Sequence, residues 1–129
     1  MPPRHLNGTL DRVSIPVTTT GGAGSATGSA TATVIGALVE VAIDFAPTAP
    51  ATTDTTIAYG GVGGGNLLVV TNSATDALIA PRRTGLVDNA NAAITGSSDT
   101  FVLNGPVTVS VAQSNALDPC LTAHLIILR

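Results

Sequence analysis

Apolar and polar residues alternate with a period of two through most of this chain. Segment 38–45 shows the pattern most clearly, with its apolar positions on one face and its polar or small positions on the other: Val39, Val41, Ile43 and Phe45 against Glu40, Ala42 and Asp44. Because successive side chains of a β-strand point to opposite faces, this segment is predicted to be a half-buried strand. The same reasoning predicts further strands at 12–18, 31–36, 55–59, 67–71, 77–80, 101–103, 107–111 and 121–128. No convincing helix is predicted, and residues 82–98 are expected to be irregular.

A glycine cluster, YGGVGGGNLLVV, separates two of these predicted strands. Gly60 and Gly65 have the spacing of a phosphate-binding loop, but Asn66 stands where that loop needs Lys and Leu67 where it needs Ser or Thr. The G-x-G-x-x-G dinucleotide pattern fails as well, since position 66 is not glycine. Glycine adopts positive φ without steric cost, so the cluster is predicted to be the turn of a hairpin between 55–59 and 67–71.

Eight or nine short strands with polar, glycine-rich turns predict an all-β fold. The expected architecture is an antiparallel β-sandwich, of jelly-roll or related Greek-key type. An immunoglobulin fold is disfavoured because the chain has one cysteine and no tryptophan. Residues 1–11 contain Pro2, Pro3 and Gly8 and are predicted to be an extended N-terminal arm, while residues 12–129 are predicted to be one sandwich domain.

The chain is poor in charge. Charged residues make up 10% of the sequence, against about 25% in ordinary soluble domains. Much of the surface must therefore consist of Thr, Ser, Ala, Gly and aliphatic side chains, which is tolerable when subunits cover it. We expect a homo-oligomer or a component of a larger assembly.

The same composition argues against several partners. The net charge is −3 and lysine is absent, whereas nucleic-acid binding needs clustered Lys and Arg. No uncharged apolar run approaches the roughly 20 residues of a membrane helix, and the N-terminal segment lacks the apolar core of a secretory signal. Cys120 is the single cysteine, so no intrachain disulfide can form. Neither nucleic acid nor membrane is expected as a partner, and assembly in a cytoplasm is expected.

Candidate chemistry is sparse. Glu40 and Asp44 lie about 13 Å apart along an extended strand, outside the roughly 5–9.5 Å of glycosidase carboxylates. Cys120 and His124 have the same separation, with no further ligand nearby to complete a metal site. His5 lies in the predicted arm. We therefore predict no catalytic, cofactor or metal site; a small hydrolase using His124 or Glu40 is the weakest alternative.

A carbohydrate-binding module is a second alternative. Sugar platforms use exposed aromatic rings, and this chain offers Phe45, Tyr59 and Phe101. Phe45 belongs to the apolar face of its strand and is predicted to be a core residue rather than a platform.

The order of segments resembles the small β-sandwich decoration (cement) proteins found on the heads of tailed bacteriophages. The resemblance covers roughly residues 12–129 and is carried by three stretches: SIPVTTTGGAGSATGSATATVIGALVEVAIDF, ALIAPRR and VLNGPVTVSVAQSNALDPCLTAHLIIL. It implies a non-enzymatic virion protein, often a trimer, that binds the outer face of a capsid and braces neighbouring major capsid subunits. A tail-fibre or receptor-binding domain is the alternative within the same group of viruses.

On this reading the capsid contacts are expected from the arm and from exposed arginines. The candidate contact residues are Pro2, Pro3, Arg4, His5, Leu6, Arg12, Arg82 and Arg83. An arm that becomes ordered on docking must offset its conformational entropy by the contacts it gains.

Overall fold

The computed structural model describes residues 8–84, 86–96 and 98–129. These residues form an all-β fold without a helix, and therefore include none long and apolar enough to cross a membrane. The strands are β1 (Leu10–Val17), β2 (Ala26–Phe45), β3 (Asp54–Tyr59), β4 (Gly65–Val70), β5 (Ala77–Ile79), β6 (Val102–Ser114) and β7 (Leu121–Leu128).

The long strand β2 belongs to both layers of the fold. Its first part, residues 26–37, pairs with β6, which pairs with β3 and through it with β4. Its second part, residues 37–45, pairs with β7 on one side and β5 on the other, and β7 pairs with β1. All pairings are antiparallel. The layers are therefore β2-β6-β3-β4 and β1-β7-β2-β5, joined through β2.

This pairing order has the jelly-roll arrangement. A jelly roll has eight strands in two sheets, and counting the two parts of β2 separately gives four strand positions in each layer. The predicted all-β antiparallel sandwich is confirmed.

A bulge and a glycine let β2 pass between the layers. The pairing register with β7 shifts between Leu38 and Glu40, and such an extra residue bends a strand and increases its twist. The bulge also changes which residues face inward, because Val34 and Leu38 are buried before it and Val41 after it. Gly36 has a φ of 135°, and a Cβ there would lie 2.7 Å from the carbonyl oxygen of Leu128.

The space between the layers is filled by aliphatic side chains from both. Inward-facing residues of β1, β2 and β7 meet those of β3, β4 and β6 in one cluster, which includes Ile15, Val34, Val41, Ile57, Leu67, Val109 and Leu125. Phe45 is 5% exposed, which confirms its prediction as a core residue. At about 25 cal/mol per Å² of apolar area, this burial supplies most of the stabilisation of the sandwich.

Several strand predictions are confirmed. β3 and β4 form the hairpin that encloses the glycine cluster, β7 spans the residues predicted for it, and β1 and β5 lie within a residue or two of their predicted bounds. The irregularity of the described part of 82–98 is also confirmed: it has turns and isolated bridges but no named strand.

The predicted number of strands and the predicted position of Val39 were wrong. Segments 31–36 and 38–45 are one strand rather than two, and 101–103 and 107–111 join within β6, so the described residues form seven strands rather than eight or nine. Val39 is half-buried and does not share the core face of Val41, because the bulge interrupts the alternation at that point.

The first strand begins two residues before its predicted start at residue 12. β1 begins at Leu10, and the backbone N–H groups of Thr9 and Arg129 donate to each other's carbonyls at 3.1 and 3.0 Å. The remainder of the predicted arm, residues 1–7, lies outside the described residues.

Candidate interaction surface

The outer face of the β2-β6-β3-β4 layer is covered by small hydroxyl side chains. Its strands place side by side, in register, the residues Ser29, Thr31, Thr33, Thr56, Thr108 and Ser110, which we call the hydroxyl face. The Oγ1 atoms of Thr31 and Thr108 are 2.8 Å apart across two strands. β-branched threonine suits a pleated surface and keeps its hydroxyl available to an incoming partner.

Aliphatic side chains are interspersed with these hydroxyls. Ile35 and Val69 are each 54% exposed and Val102 is 71% exposed, and all three point outward from this layer. Asp54 is the one charged residue in the four strand segments, and its carboxylate accepts a hydrogen bond from the Asn72 backbone N–H at 2.9 Å. Apart from Asp54, the hydroxyl face is thus polar without charge and partly apolar.

The outer face of the β1-β7-β2-β5 layer differs in chemistry. Its outward positions include the ionisable side chains Arg12, His124, Glu40 and Asp44, which we call the charged face. Ser14 lies beside His124 on this face, with its Oγ 2.8 Å from His124 Nδ1. Leu78 of β5 is also exposed here.

Among the described residues, the Ser14–His124 pair has no carboxylate hydrogen-bonded to the histidine. A triad needs a serine on one ring nitrogen of histidine and a carboxylate on the other. No hydrogen bond joins His124 to Glu40 or Asp44 among the contacts of the described residues, and the pair lies on an open strand surface.

Cys120 and His124 are not brought together. Cys120 is fully buried, and its Sγ lies 3.2 Å from Ser114 Oγ, which in turn accepts from Thr53 Oγ1 at 3.1 Å. Within the described ranges, no group of three or more His, Cys, Asp or Glu side chains is placed to hold a metal ion. The thiol therefore belongs to a buried polar chain beneath the surface.

The predicted contact residues are scattered. Pro2, Pro3, Arg4, His5 and Leu6 lie outside the described residues. Arg12 is exposed on the charged face. Arg82 donates from Nη1 to the carbonyls of Val39 at 3.1 Å and Pro81 at 2.9 Å.

Arg83 lies at one end of the sandwich. Its backbone pairs with that of Asp99, and its side chain borders a depression of about 300 Å³ lined also by Tyr59, Val62, Gly63, Phe101, Val102 and Leu103. Arg129 forms an ion pair with Asp11, with Nε 3.0 Å from Oδ2.

Comparison of the chain with known protein families, with curated proteins and with solved structures finds no match in any of the three. The function is therefore inferred from the fold and its two outer faces.

The hydroxyl face was not anticipated from the sequence, although a signal was present. In the stretch SATATVIG, hydroxyl residues occupy every second position before the apolar Val34 and Ile35. A period of two identifies them as one face of a strand. Their alignment with Thr108 and Ser110 depends on strand order, which the sequence does not reveal.

Proposed function

We propose that this chain is a non-enzymatic structural protein that works docked in a viral assembly, as a capsid decoration (cement) protein whose hydroxyl face contacts the major capsid protein. The observation that carries the proposal is the unequal distribution of charge between the two faces. One face is uncharged apart from Asp54 at the start of β3, and the other holds Arg12, Glu40, Asp44 and His124.

Desolvation favours the hydroxyl face as the contact. Burying an ionised side chain without a partner is far more costly than burying a hydroxyl that finds a hydrogen bond. Interface cores are accordingly depleted of charged residues. Ile35, Val69 and Val102 add apolar area that a partner would remove from water.

The charged face would then remain in solvent, where its side chains maintain solubility. The predicted contacts of the arm, with Pro2 to Leu6, and of the exposed Arg12, Arg82 and Arg83 with the capsid stay predictions. The expectation of a homo-oligomer rests on the low charge, and the preference for a trimer rests on the resemblance alone.

The proposal predicts that this sequence is encoded in a phage genome, and it is tested with virions of that phage. Mass spectrometry of purified particles should detect the chain in a fixed ratio to the major capsid protein, and antibody labelling should place it on the outer surface. Heads from a phage lacking the gene should rebind the purified chain. Absence of the chain from the particles, or heads that fail to rebind it, would refute the proposal.

A carbohydrate-binding or receptor-binding role is favoured by one observation. Tyr59 and Phe101, two of the three aromatic residues, line the depression beside Arg83. Tyr59 is held there because its hydroxyl accepts the Asn104 backbone N–H at 3.0 Å. Binding to a glycan array that is lost in Tyr59→Ala would support this second function, and retained capsid binding in the same variant would separate it from the first.

A further inference from the structure

Within the described part of the chain, the first part of β2 has one edge along which no strand pairs. In antiparallel pairing, alternate residues direct their backbone N–H and C=O groups toward the same neighbour. The Leu38 N–H donates to the Phe101 carbonyl on the β6 side at 2.8 Å. The backbone N–H and C=O groups of even-numbered residues in this part of β2 therefore point toward β6. The odd-numbered residues Ser29, Thr31, Thr33 and Ile35 therefore direct their backbone groups away from β6.

No described strand covers that second edge between its two ends. At one end, the backbones of Thr20 and Thr27 exchange hydrogen bonds of 2.9 and 3.0 Å. At the other end, β7 begins to pair at Ala37. The stretch between them, residues 28–36, contains no charged residue and no proline.

The free edge of β1 shows how such an edge is normally protected. The mutual hydrogen bonds of Thr9 and Arg129 show that the backbone N–H and C=O groups of odd-numbered residues in β1 point toward β7. Those of even-numbered residues point away from β7, toward the free edge. Two of the outward residues are Arg12 and Pro16, and proline lacks the N–H that an added strand would need. Charge and proline are the usual devices against edge-to-edge pairing.

The other two outer strands are also poor templates. β5 has three residues and is followed closely by Pro81. β4 has six, and its pairing with β3 contains a bulge between Ile57 and Ala58. The unprotected edge of β2 is therefore the exception among the strand edges of the described residues.

We propose that the edge formed by Ser29–Ile35 pairs with the same edge of a second copy of this chain, antiparallel about a twofold axis. Centring the axis at Ala32 sets Thr31 opposite Thr33 of the partner and Ser29 opposite Ile35 of the partner. All of these residues direct backbone groups outward, so about eight hydrogen bonds can form. The pairing joins two hydroxyl faces into one continuous surface.

Charge supports a second copy as the occupant. Neither edge carries a charge, so identical edges approach without repulsion between like groups. Near the Gly28 end, Thr18 holds Asp118 by a 2.7 Å hydrogen bond, and near the Gly36 end lies the Arg129–Asp11 ion pair. Antiparallel pairing brings each copy's Asp118 toward the other copy's neutralised ion pair and not toward another free carboxylate.

This pairing does not depend on capsid binding. A twofold pair also differs in stoichiometry from the trimer that the resemblance implies, so the mass in solution distinguishes the two. The full-length chain should sediment as a dimer at about 10–100 µM protein, a range in which weak specific pairs are populated.

The double variants Thr31→Lys with Thr33→Lys, and Thr31→Glu with Thr33→Glu, give the decisive test. Like charges then lie directly opposite across the axis, and each variant alone should weaken dimerisation at least tenfold. An equimolar mixture should recover the dimer as a heterodimer, since lysines of one chain face glutamates of the other. Ser110→Lys, one strand inward on the same face, should leave the dimer unchanged.

Amide hydrogen exchange supplies an internal control. The even-numbered amides of Ala30, Ala32 and Val34 should be protected in every variant that folds, because they face β6. The amides of Thr31 and Thr33 should be protected in the wild type and exchange rapidly in the lysine variant. A monomeric wild type, an oligomer that survives both charged variants, or unprotected Thr31 and Thr33 amides would overturn the proposal.

Discussion

The two outer faces of this sandwich are built from the same kind of strand but carry different chemistry. On the charged face, strand β1 presents Arg12 and β7 presents His124, and the free edge of β1 contains Pro16. On the hydroxyl face, residues 26–37 of β2 and all of β6 present no charge. The chain has few charged residues, and most of those in its strands lie in the β1-β7-β2-β5 layer. The difference supports the proposal that the hydroxyl face is the one that contacts a partner.

The separation of the faces depends most strongly on Gly36, where β2 turns from one layer to the other. Gly36→Ala should lower the free energy of unfolding by about 2–4 kcal/mol, since a side chain is strained at this positive φ and its Cβ would contact Ile127 and the Leu128 carbonyl oxygen. Chemical denaturation measures the loss.

Gly65→Ala is the matched control for that substitution. Gly65 begins β4 with no heavy atom within 4 Å of a built Cβ and without a positive φ. The free energy of unfolding of the Gly65→Ala variant should differ from that of the wild type by less than about 1 kcal/mol. Equal losses of stability in the two variants would show that the positive φ and the close contacts at Gly36 do not require glycine there.

Two buried threonines beneath the faces should respond in opposite directions. Thr53 Oγ1 donates to the Pro50 carbonyl at 2.7 Å and to Ser114, so Thr53→Val should destabilise the protein by about 1–3 kcal/mol. Thr55 Oγ1 has no hydrogen-bond partner and is buried among core residues. Thr55→Val should therefore stabilise it by about 1 kcal/mol.

Thermal unfolding of both valine variants under one set of conditions checks this pair. A loss of stability in Thr55→Val as large as that in Thr53→Val would mean that the Thr55 hydroxyl is paired in solution.

The ion pair between Arg129 and Asp11 should contribute least to the free energy of unfolding. Arg129 and Asp11 are 48% and 44% exposed, and surface pairs of this kind contribute about 0.2–1 kcal/mol. Asp11→Asn should lower stability within that range in dilute buffer and have almost no effect in about 1 M salt, where the Debye length is near 3 Å. A large effect that persists in salt would show that charge holds the sandwich together, contrary to the contrast between the faces.

Much of the fold could be predicted because its determinants are local. The β3–β4 hairpin follows from glycines between apolar runs, and β7 from the alternation of Leu121, Ala123, Leu125 and Ile127. The continuity of β2 could not be predicted, since Gly36 and the bulge that follows look like a break between strands. Only pairing with β6 and β7 keeps the backbone extended through that point.

The candidate surface could be predicted only in part. The low charge led to the expectation that some surface is covered, and the choice of Arg12, Arg82 and Arg83 as contacts rested on residue type alone. Arg82 is engaged with the backbone of Val39 and Arg12 lies on the charged face. Which residues share a face and which edge is free are decided by contacts between segments far apart in sequence.

The most direct test of the account compares single lysines placed on the two faces. Ser110→Lys puts a charge at the centre of the hydroxyl face, and Thr122→Lys puts one on the charged face between Pro16 and Asp44. Each purified variant is added to heads that lack the protein, and bound copies per head are measured over a range of concentrations. Ser110→Lys should bind at least tenfold more weakly than the wild type, and Thr122→Lys should bind nearly as well as the wild type. Unchanged binding of Ser110→Lys, or a loss confined to Thr122→Lys, would contradict it.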